Sequence, residues 1–139
     1  MESSYDQTSR SSFKSVWSMI EPINIDHKLS LFHDHWCPKI IAELNGQHVK
    51  LAKLKGEFVW HSHENEDEMF LVISGSLKIE FRDRVETLNP GELIVIPKGV
   101  EHRPVAESEV SVMLFEPKST INTGDAQTSN LTRNKLDKL

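Results

Sequence analysis

The residues with the clearest chemical potential are two histidines separated by a single serine, His61 and His63. In an extended strand, side chains two positions apart point to the same face, so both imidazoles would face one way. On a helix the same spacing would place them about 200° apart. The apolar residues at 58–60 and 69–73 favour the extended form. Alone, such a pair is more often a polar strand face with two exposed histidines.

A second segment changes that interpretation. A third histidine, His102, follows the turn Pro97-Lys98-Gly99 in a separate hairpin, and the acidic run 64–68 supplies carboxylates next to the first pair. Three imidazoles and one carboxylate form a mixed nitrogen and oxygen donor set, which suits a divalent transition metal ion. The sequence therefore predicts one metal site assembled from two distant segments.

These two segments resemble the two motifs of the cupins, and the resemblance covers about residues 40–116. The first motif is matched by Gly56, His61-Ser62-His63, Glu68 and Gly75. The second is matched without a gap from Gly91 through Pro97-Lys98-Gly99 to His102. There are two departures: Gly56 lies one residue closer to the histidines than the motif has it, and Ala106 stands where the motif has asparagine.

The resemblance implies metal ligands at His61, His63, Glu68 and His102. Among the neighbouring acidic residues, Glu68 stands six residues before Gly75, as the ligand of the family does. The cofactor implied is one divalent transition metal ion, and these ligand types accept Fe, Mn, Ni, Cu or Zn alike. Similarity to cupin dioxygenases also implies a catalytic role for Glu68, as ligand and proton acceptor.

The pattern of the whole chain predicts an all-β protein, and the resemblance specifies a cupin double-stranded β-helix, a jelly-roll barrel. Asn45-Gly46 is a strong hairpin turn signal between strands at 39–44 and 47–52. No helix is expected within 47–116. Further short strands separated by turn residues are expected at 57–63, 68–74, 77–82, 85–88, 92–96, 102–106 and 110–116.

The expected organisation is a single barrel domain over residues 23–117 with a polar extension at each end. Residues 1–22 form the N-terminal extension, where apolar residues from Ser11 to Ile20 recur at helical spacing and predict a short helix. Residues 118–139 form a polar C-terminal tail, expected to be flexible with one helical turn at 129–138.

Strand alternation predicts the walls of a small-molecule pocket. If the metal ligands point inward, apolar side chains two and four positions away along the same strands do so too, whereas Phe58 points outward or towards a second layer. Mostly apolar walls around one polar spot are typical of small-ligand sites. The predicted pocket residues are Val59, Phe70, Val72, Pro104 and Ala106.

The composition restricts the classes of partner that this chain is expected to bind. The chain has 139 residues and a formal net charge of −5, which argues against nucleic acid or an anionic membrane as its partner. The single cysteine, Cys37, allows no internal disulfide, which predicts a cytoplasmic protein. Trp36, Ile40 and Ile41 form an apolar edge near the first hairpin, which predicts a homodimer.

Three functions fit these observations. The first is a metal-dependent, dioxygenase-like enzyme acting on a small organic molecule in the barrel. The second is a non-catalytic cupin that binds or senses a metal or small molecule, and the third is a sugar isomerase-like cupin. No cluster of lysines and arginines is placed to bind a phosphate, which counts against phosphosugar isomerases, and the only tyrosine is Tyr5 in the N-terminal extension. Beyond the metal ligands, the sequence indicates no second acid or base in the pocket.

Overall fold

The computed structural model describes residues 20–126 and 130–139. Within these residues, one short helix and seven strands make up the regular structure, and the seven strands pair with one another in antiparallel fashion. No helix in these two ranges is long and apolar enough to cross a membrane. The elements are α1 (Ile25–Leu29), β1 (Lys39–Leu44), β2 (Gln47–Glu57), β3 (Glu68–Ser74), β4 (Leu77–Phe81), β5 (Val85–Leu88), β6 (Leu93–Ile96) and β7 (His102–Pro117).

The β1–β2 hairpin confirms the predicted turn. Leu44 pairs with Gln47, and the two residues between them, Asn45 and Gly46, both have positive φ, of 50° and 74°. Two consecutive positive φ angles define the turn whose twist matches that of paired strands, and asparagine and glycine tolerate them best. The range 47–116, all of it described, contains no helix, also as predicted.

The long strand β7 organises the sheet. It pairs with β4 near His102, with β2 along most of its length, and with β3 towards Pro117, so that it passes from one layer of the barrel to the other. The sequence predicts two strands here, at 102–106 and 110–116, separated by the polar residues 107–109. Those residues are exposed, yet their backbone remains extended. Polarity therefore marked a solvent-facing stretch rather than a break in the strand.

The interior divides into two apolar clusters. The larger fills the barrel, and within it Trp36 stacks on Phe58 with ring centroids 4.7 Å apart. The smaller lies where Phe32 covers Ile41 and Leu51, with Leu29 and Leu139 packed against it. The chain thus buries the apolar edge proposed for a homodimer, since Trp36, Ile40 and Ile41 are each at most 9% exposed. A dimer would need a different surface.

The chain ends differ from expectation. The predicted helix at Ser11–Ile20 lies almost wholly outside the described residues, while α1, which begins after the capping side chain of Asn24, was not predicted. The C-terminal segment is not the free tail that its polar sequence suggests. The Leu139 amide donates to the Ile40 carbonyl, Thr123 is buried, and residues 130–139 contain no helix. Strand β1 lies at the edge of the sheet and pairs with β2 on one side only. On its other side, the tail supplies hydrogen-bond partners for the backbone.

Residues 120–126 hold this tail against the segment that carries the two motif histidines. The Asp125 carboxylate accepts hydrogen bonds from the Ser62 amide at 2.6 Å and from the Ser62 hydroxyl at 3.0 Å. Gly124, at φ 53°, lies so close that a Cβ added to it would be 2.2 Å from the Ser62 carbonyl oxygen. Only glycine fits at this position without moving the backbone.

Gly124→Ala is therefore expected to release residues 120–126 from the barrel and to lower the free energy of unfolding. The left-handed backbone alone costs about 1–2 kcal/mol for a residue with a Cβ, and the clash with Ser62 adds to it. Urea unfolding together with limited proteolysis of the tail measures both effects. Gly46→Ala is the matched control, because Gly46 also has positive φ but has no atom within 4 Å of an added Cβ. Equal losses in the two variants would contradict the role of the contact.

Candidate metal centre

Four predicted residues come together at one end of the barrel: His61, His63, Glu68 and His102. One ligand atom from each lies within 4.8 Å of all the others. All four residues are buried, and each is at most 5% exposed. Three imidazoles and a carboxylate concentrated in this way form a donor set suited to a divalent transition metal ion.

Backbone hydrogen bonds join the two segments that carry these residues. The amide of His61 donates to the carbonyl of His102 at 3.0 Å, and the amide of His102 donates back to His61 at 2.9 Å. The amide of Gly99 donates to the His63 carbonyl at 2.8 Å. The two motifs, distant in sequence, thus hold each other in register.

The predicted strand at 57–63 is wrong beyond Glu57, where β2 ends. Phe58 still donates its amide to the carbonyl of Pro104, but Pro104 has no amide hydrogen to return the bond. The ladder is interrupted there and resumes only as the isolated pair His61 and His102. Because alternation is lost, Phe58 points into the barrel rather than outward.

Two of the imidazoles are oriented by their own backbone. Nδ1 of His61 lies 2.9 Å from the Val59 carbonyl oxygen, and Nδ1 of His102 lies 2.9 Å from that of Val100. A carbonyl only accepts, so each Nδ1 carries the hydrogen and each Nε2 keeps a free electron pair. These two Nε2 atoms are buried and have no hydrogen-bond partner among the described residues. Histidines that ligate metals are typically held in this way.

The carboxylate of Glu68 faces the imidazoles of His63 and His102. Nε2 of His63 contacts Oε2 of Glu68 in a buried ion pair, and Nε2 of His102 lies 3.6 Å from Oε1. Burial alone would raise the pKa of Glu68, but His102 and His63 outweigh it and lower this pKa to about 2. Burial, reinforced by His102, lowers the pKa of His61 to about 4. At neutral pH, Glu68 is therefore ionised and His61 neutral, as metal binding requires. Burial alone would lower the pKa of His63, but Glu68 outweighs it and raises this pKa, so a metal ion would have to displace a proton from His63.

A cavity of about 40 Å³ borders this centre and reaches it through His61 and Glu68. Two of the predicted pocket residues, Phe70 and Pro104, line it. Val72 and Ala106 are fully buried in the core instead, Val59 packs against that core, and none of these three is among the lining residues in the described chain. The lining consists of apolar Trp36, Pro38, Ala52, Leu54, Phe58, Phe70, Pro104 and Leu114 and polar His61, Glu68, Glu116 and Asn122.

Glu116 is a lining residue that sequence reasoning missed. It is 4% exposed, and its Oε1 accepts a hydrogen bond at 2.9 Å from Nζ of Lys50, itself 2% exposed. Burial, reinforced by the negative charge of Glu68, raises the pKa of Glu116 to about 7, although Lys50 opposes the shift. Strand alternation was the available signal, because Val112 and Leu114 on the same face of β7 belong to the core.

Comparisons with known proteins agree with this description. The family model described as a cupin domain matches residues 47–116. A cupin-2 domain containing protein from Shewanella frigidimarina NCIMB 400 has a crystal structure that is 53% identical, with a TM-score of 0.69, covering 69% of this chain and 94% of that one. Protein NMB1881 from Neisseria meningitidis is 34% identical, with a TM-score of 0.65, covering 70% of this chain and 100% of that one.

A curated relative is the uncharacterized protein YdbB of Bacillus subtilis (strain 168), which is 42% identical over 64 residues. The match covers 45% of this chain and 57% of YdbB, so this chain spans little more than half the length of that relative. The family model spans half of the chain, and the barrel carries the three histidines and the glutamate of both motifs. The chain therefore belongs to the cupin superfamily.

Proposed function

We propose that this cupin binds one divalent transition metal ion through His61, His63, Glu68 and His102 and acts as a dioxygenase-like enzyme on a small organic molecule. The observation that carries the proposal is the orientation of the imidazoles. Backbone carbonyls hold the Nδ1 hydrogens of His61 and His102, so their unpartnered Nε2 atoms share one buried space with Glu68. A buried polar atom without a partner is costly, and coordination to a metal would remove that cost.

The position of the cavity supports chemistry rather than storage alone. Two of the four donors, His61 and Glu68, also line the cavity, so a small molecule bound there would lie beside the ion. These four donors would hold the ion, and when bound such an ion would supply Lewis-acid or redox chemistry. The mostly apolar lining fits a compact organic substrate better than a sugar, whose hydroxyls would need many polar partners.

Within this proposal the residues of the chain have distinct tasks. The imidazoles and Glu68 hold the ion. Phe58 and Phe70 exclude water from the side of the ion that faces the cavity. Glu68 is also proposed to accept a proton from the substrate, because its lowered pKa keeps the carboxylate ionised. The same low pKa makes it a weak base, so the two roles of Glu68 need separate tests.

Elemental analysis of protein purified without a metal-affinity tag is expected to give one equivalent of a divalent transition metal per chain. Dioxygen uptake with catechols, flavonols, thiols and β-diketones then identifies the substrate class. A metal-loaded protein that consumes no dioxygen with any of them would favour the alternative, a cupin that binds or senses without catalysis. Absence of bound metal, even after reconstitution, would contradict the proposal itself.

Glu68→Gln is expected to retain the metal through three histidines but to lower turnover by about 10²–10⁴-fold, the usual contribution of general acid–base assistance. Metal content must be measured in the same variant, because an amide also changes the charge at the ion. Asp67→Asn is the control, since Asp67 is the neighbouring exposed carboxylate. Undiminished turnover with metal bound would remove Glu68 from proton transfer and leave it as a ligand.

Two predictions from the sequence carry over as proposals: a homodimer and a cytoplasmic location. The apolar edge that suggested the dimer is covered by the chain itself. Edge strand β6 offers another surface, because Leu93 and Val95 are each more than half exposed on it.

A further inference from the structure

We propose that Glu116, held by Lys50, is a second polar subsite of the cavity, and that it receives the hydroxyl or ammonium end of a small molecule whose carboxylate binds at the metal centre. The inference rests on the proposed metal-binding function and adds the chemical class of the ligand. It assigns a role to a charged pair that the metal centre does not use.

Glu116 borders the same cavity as the metal centre. It lies on β7 and lines the same cavity as His61 and Glu68, so a molecule in that cavity would meet both the metal centre and this carboxylate. The Lys50 ammonium occupies Oε1 at 2.9 Å. No hydrogen bond to Oε2 occurs among the described residues, which leaves that oxygen available to a ligand.

Burying the charges of Lys50 and Glu116 at this position costs free energy. Lys50 and Glu116 lie on neighbouring strands, where Lys50 pairs with Leu114, and both side chains are almost completely removed from water. A buried ion pair commonly contributes no more stability than apolar side chains of the same volume. Stability alone therefore does not account for a carboxylate at the wall of an otherwise apolar cavity.

The walls of the cavity restrict the chemical class of the ligand. The ammonium of Lys50 stabilises Glu116 as an acceptor, and an acceptor in an apolar wall selects a donor such as a hydroxyl or an ammonium group. The opposite end of the ligand needs an oxygen donor for the metal ion. A volume of about 40 Å³ holds roughly three water-sized groups, which limits the ligand to a short chain.

Calorimetric titration of the metal-loaded protein with three isosteric carboxylates, at a pH above 7 where the Glu116 carboxylate is ionised, tests the inference. Butyrate, 3-hydroxypropionate and β-alanine end in a methyl, a hydroxyl and an ammonium group, respectively. The wild-type protein is expected to bind each of the last two about tenfold more tightly than butyrate, as for a hydrogen bond to a charged group. Glu116→Gln should lose the preference for β-alanine and keep a weaker one for the hydroxyl, since an amide oxygen still accepts.

A double variant distinguishes loss of the Glu116 subsite from loss of the fold. Lys50→Met combined with Glu116→Leu removes both charges at similar volume, and it should load metal, unfold cooperatively and lose all preference over butyrate. Asp34→Asn is the control that keeps the preference, because Asp34 pairs with Lys39 away from the cavity lining. Three results would overturn the inference alone: equal affinities in the wild type, a preference that survives in the double variant, or no probe binding by metal-loaded protein. Failure to load metal would instead overturn the proposed function, and this inference with it.

Discussion

Replacing both His61 and His63 with alanine is expected to abolish stoichiometric metal binding. The change removes two of the four donors that share one buried space. Mutating a residue that only supports a metal ligand typically costs 10–100-fold in affinity, so the loss of two ligands should exceed about 100-fold. Elemental analysis and calorimetric titration with the metal identified in the wild-type protein measure the loss.

The chain supplies a matched control for this experiment. His33 and His35 have the same spacing as the motif pair, but His33 is exposed and Nε2 of His35 pairs with Glu109 at 2.7 Å on the surface. The double variant His33→Ala, His35→Ala should therefore bind metal as the wild type does. The backbone hydrogen bonds between His61 and His102 do not depend on the side chains, so circular dichroism should show a retained fold. Full metal content in the His61, His63 variant would refute the assignment.

Glu116→Leu is expected to lower the free energy of unfolding by about 3–5 kcal/mol, the usual cost of leaving one partner of a buried ion pair unpaired. Nζ of Lys50 has Glu116 as its hydrogen-bond partner, and the Lys50 side chain is 2% exposed, so the ammonium would lose both its partner and access to water. Adding Lys50→Met should recover most of the loss, because the second change removes the stranded charge. Urea unfolding of the metal-free proteins measures both variants.

A surface ion pair provides the comparison. Lys78 and Glu107 lie 2.7 Å apart, similar to the 2.9 Å of the buried pair, but both side chains are well exposed, so water and salt screen their attraction. Glu107→Leu should change the free energy of unfolding far less than Glu116→Leu. Similar losses in the two variants would mean that the Lys50 ammonium becomes hydrated once Glu116 is gone. Burial of the pair would then add nothing to the cost of removing Glu116.

Local signals in the sequence were sufficient for the framework of the barrel and for the four candidate metal donors. The Asn45-Gly46 hairpin follows from the positive φ that only a few residues tolerate, and β3 follows from the short apolar run 69–73 directly after Glu68. The spacing of His61, His63, Glu68 and His102 within two motifs predicted their convergence. These features depend on residues that are close together in the chain or on a spacing shared with known proteins.

Tertiary structure alone decided the cavity and the tail. Strand β2 ends early because Pro104, on another strand, has no amide hydrogen to donate, and that break turns Phe58 into the cavity. Lys50 meets Glu116 across 66 positions of sequence, and Gly124 fits beneath Ser62 only once the polar tail has packed on the barrel. The local sequence pattern does not predict such contacts, because each depends on which distant strand or loop lies opposite and on how close the two backbones come.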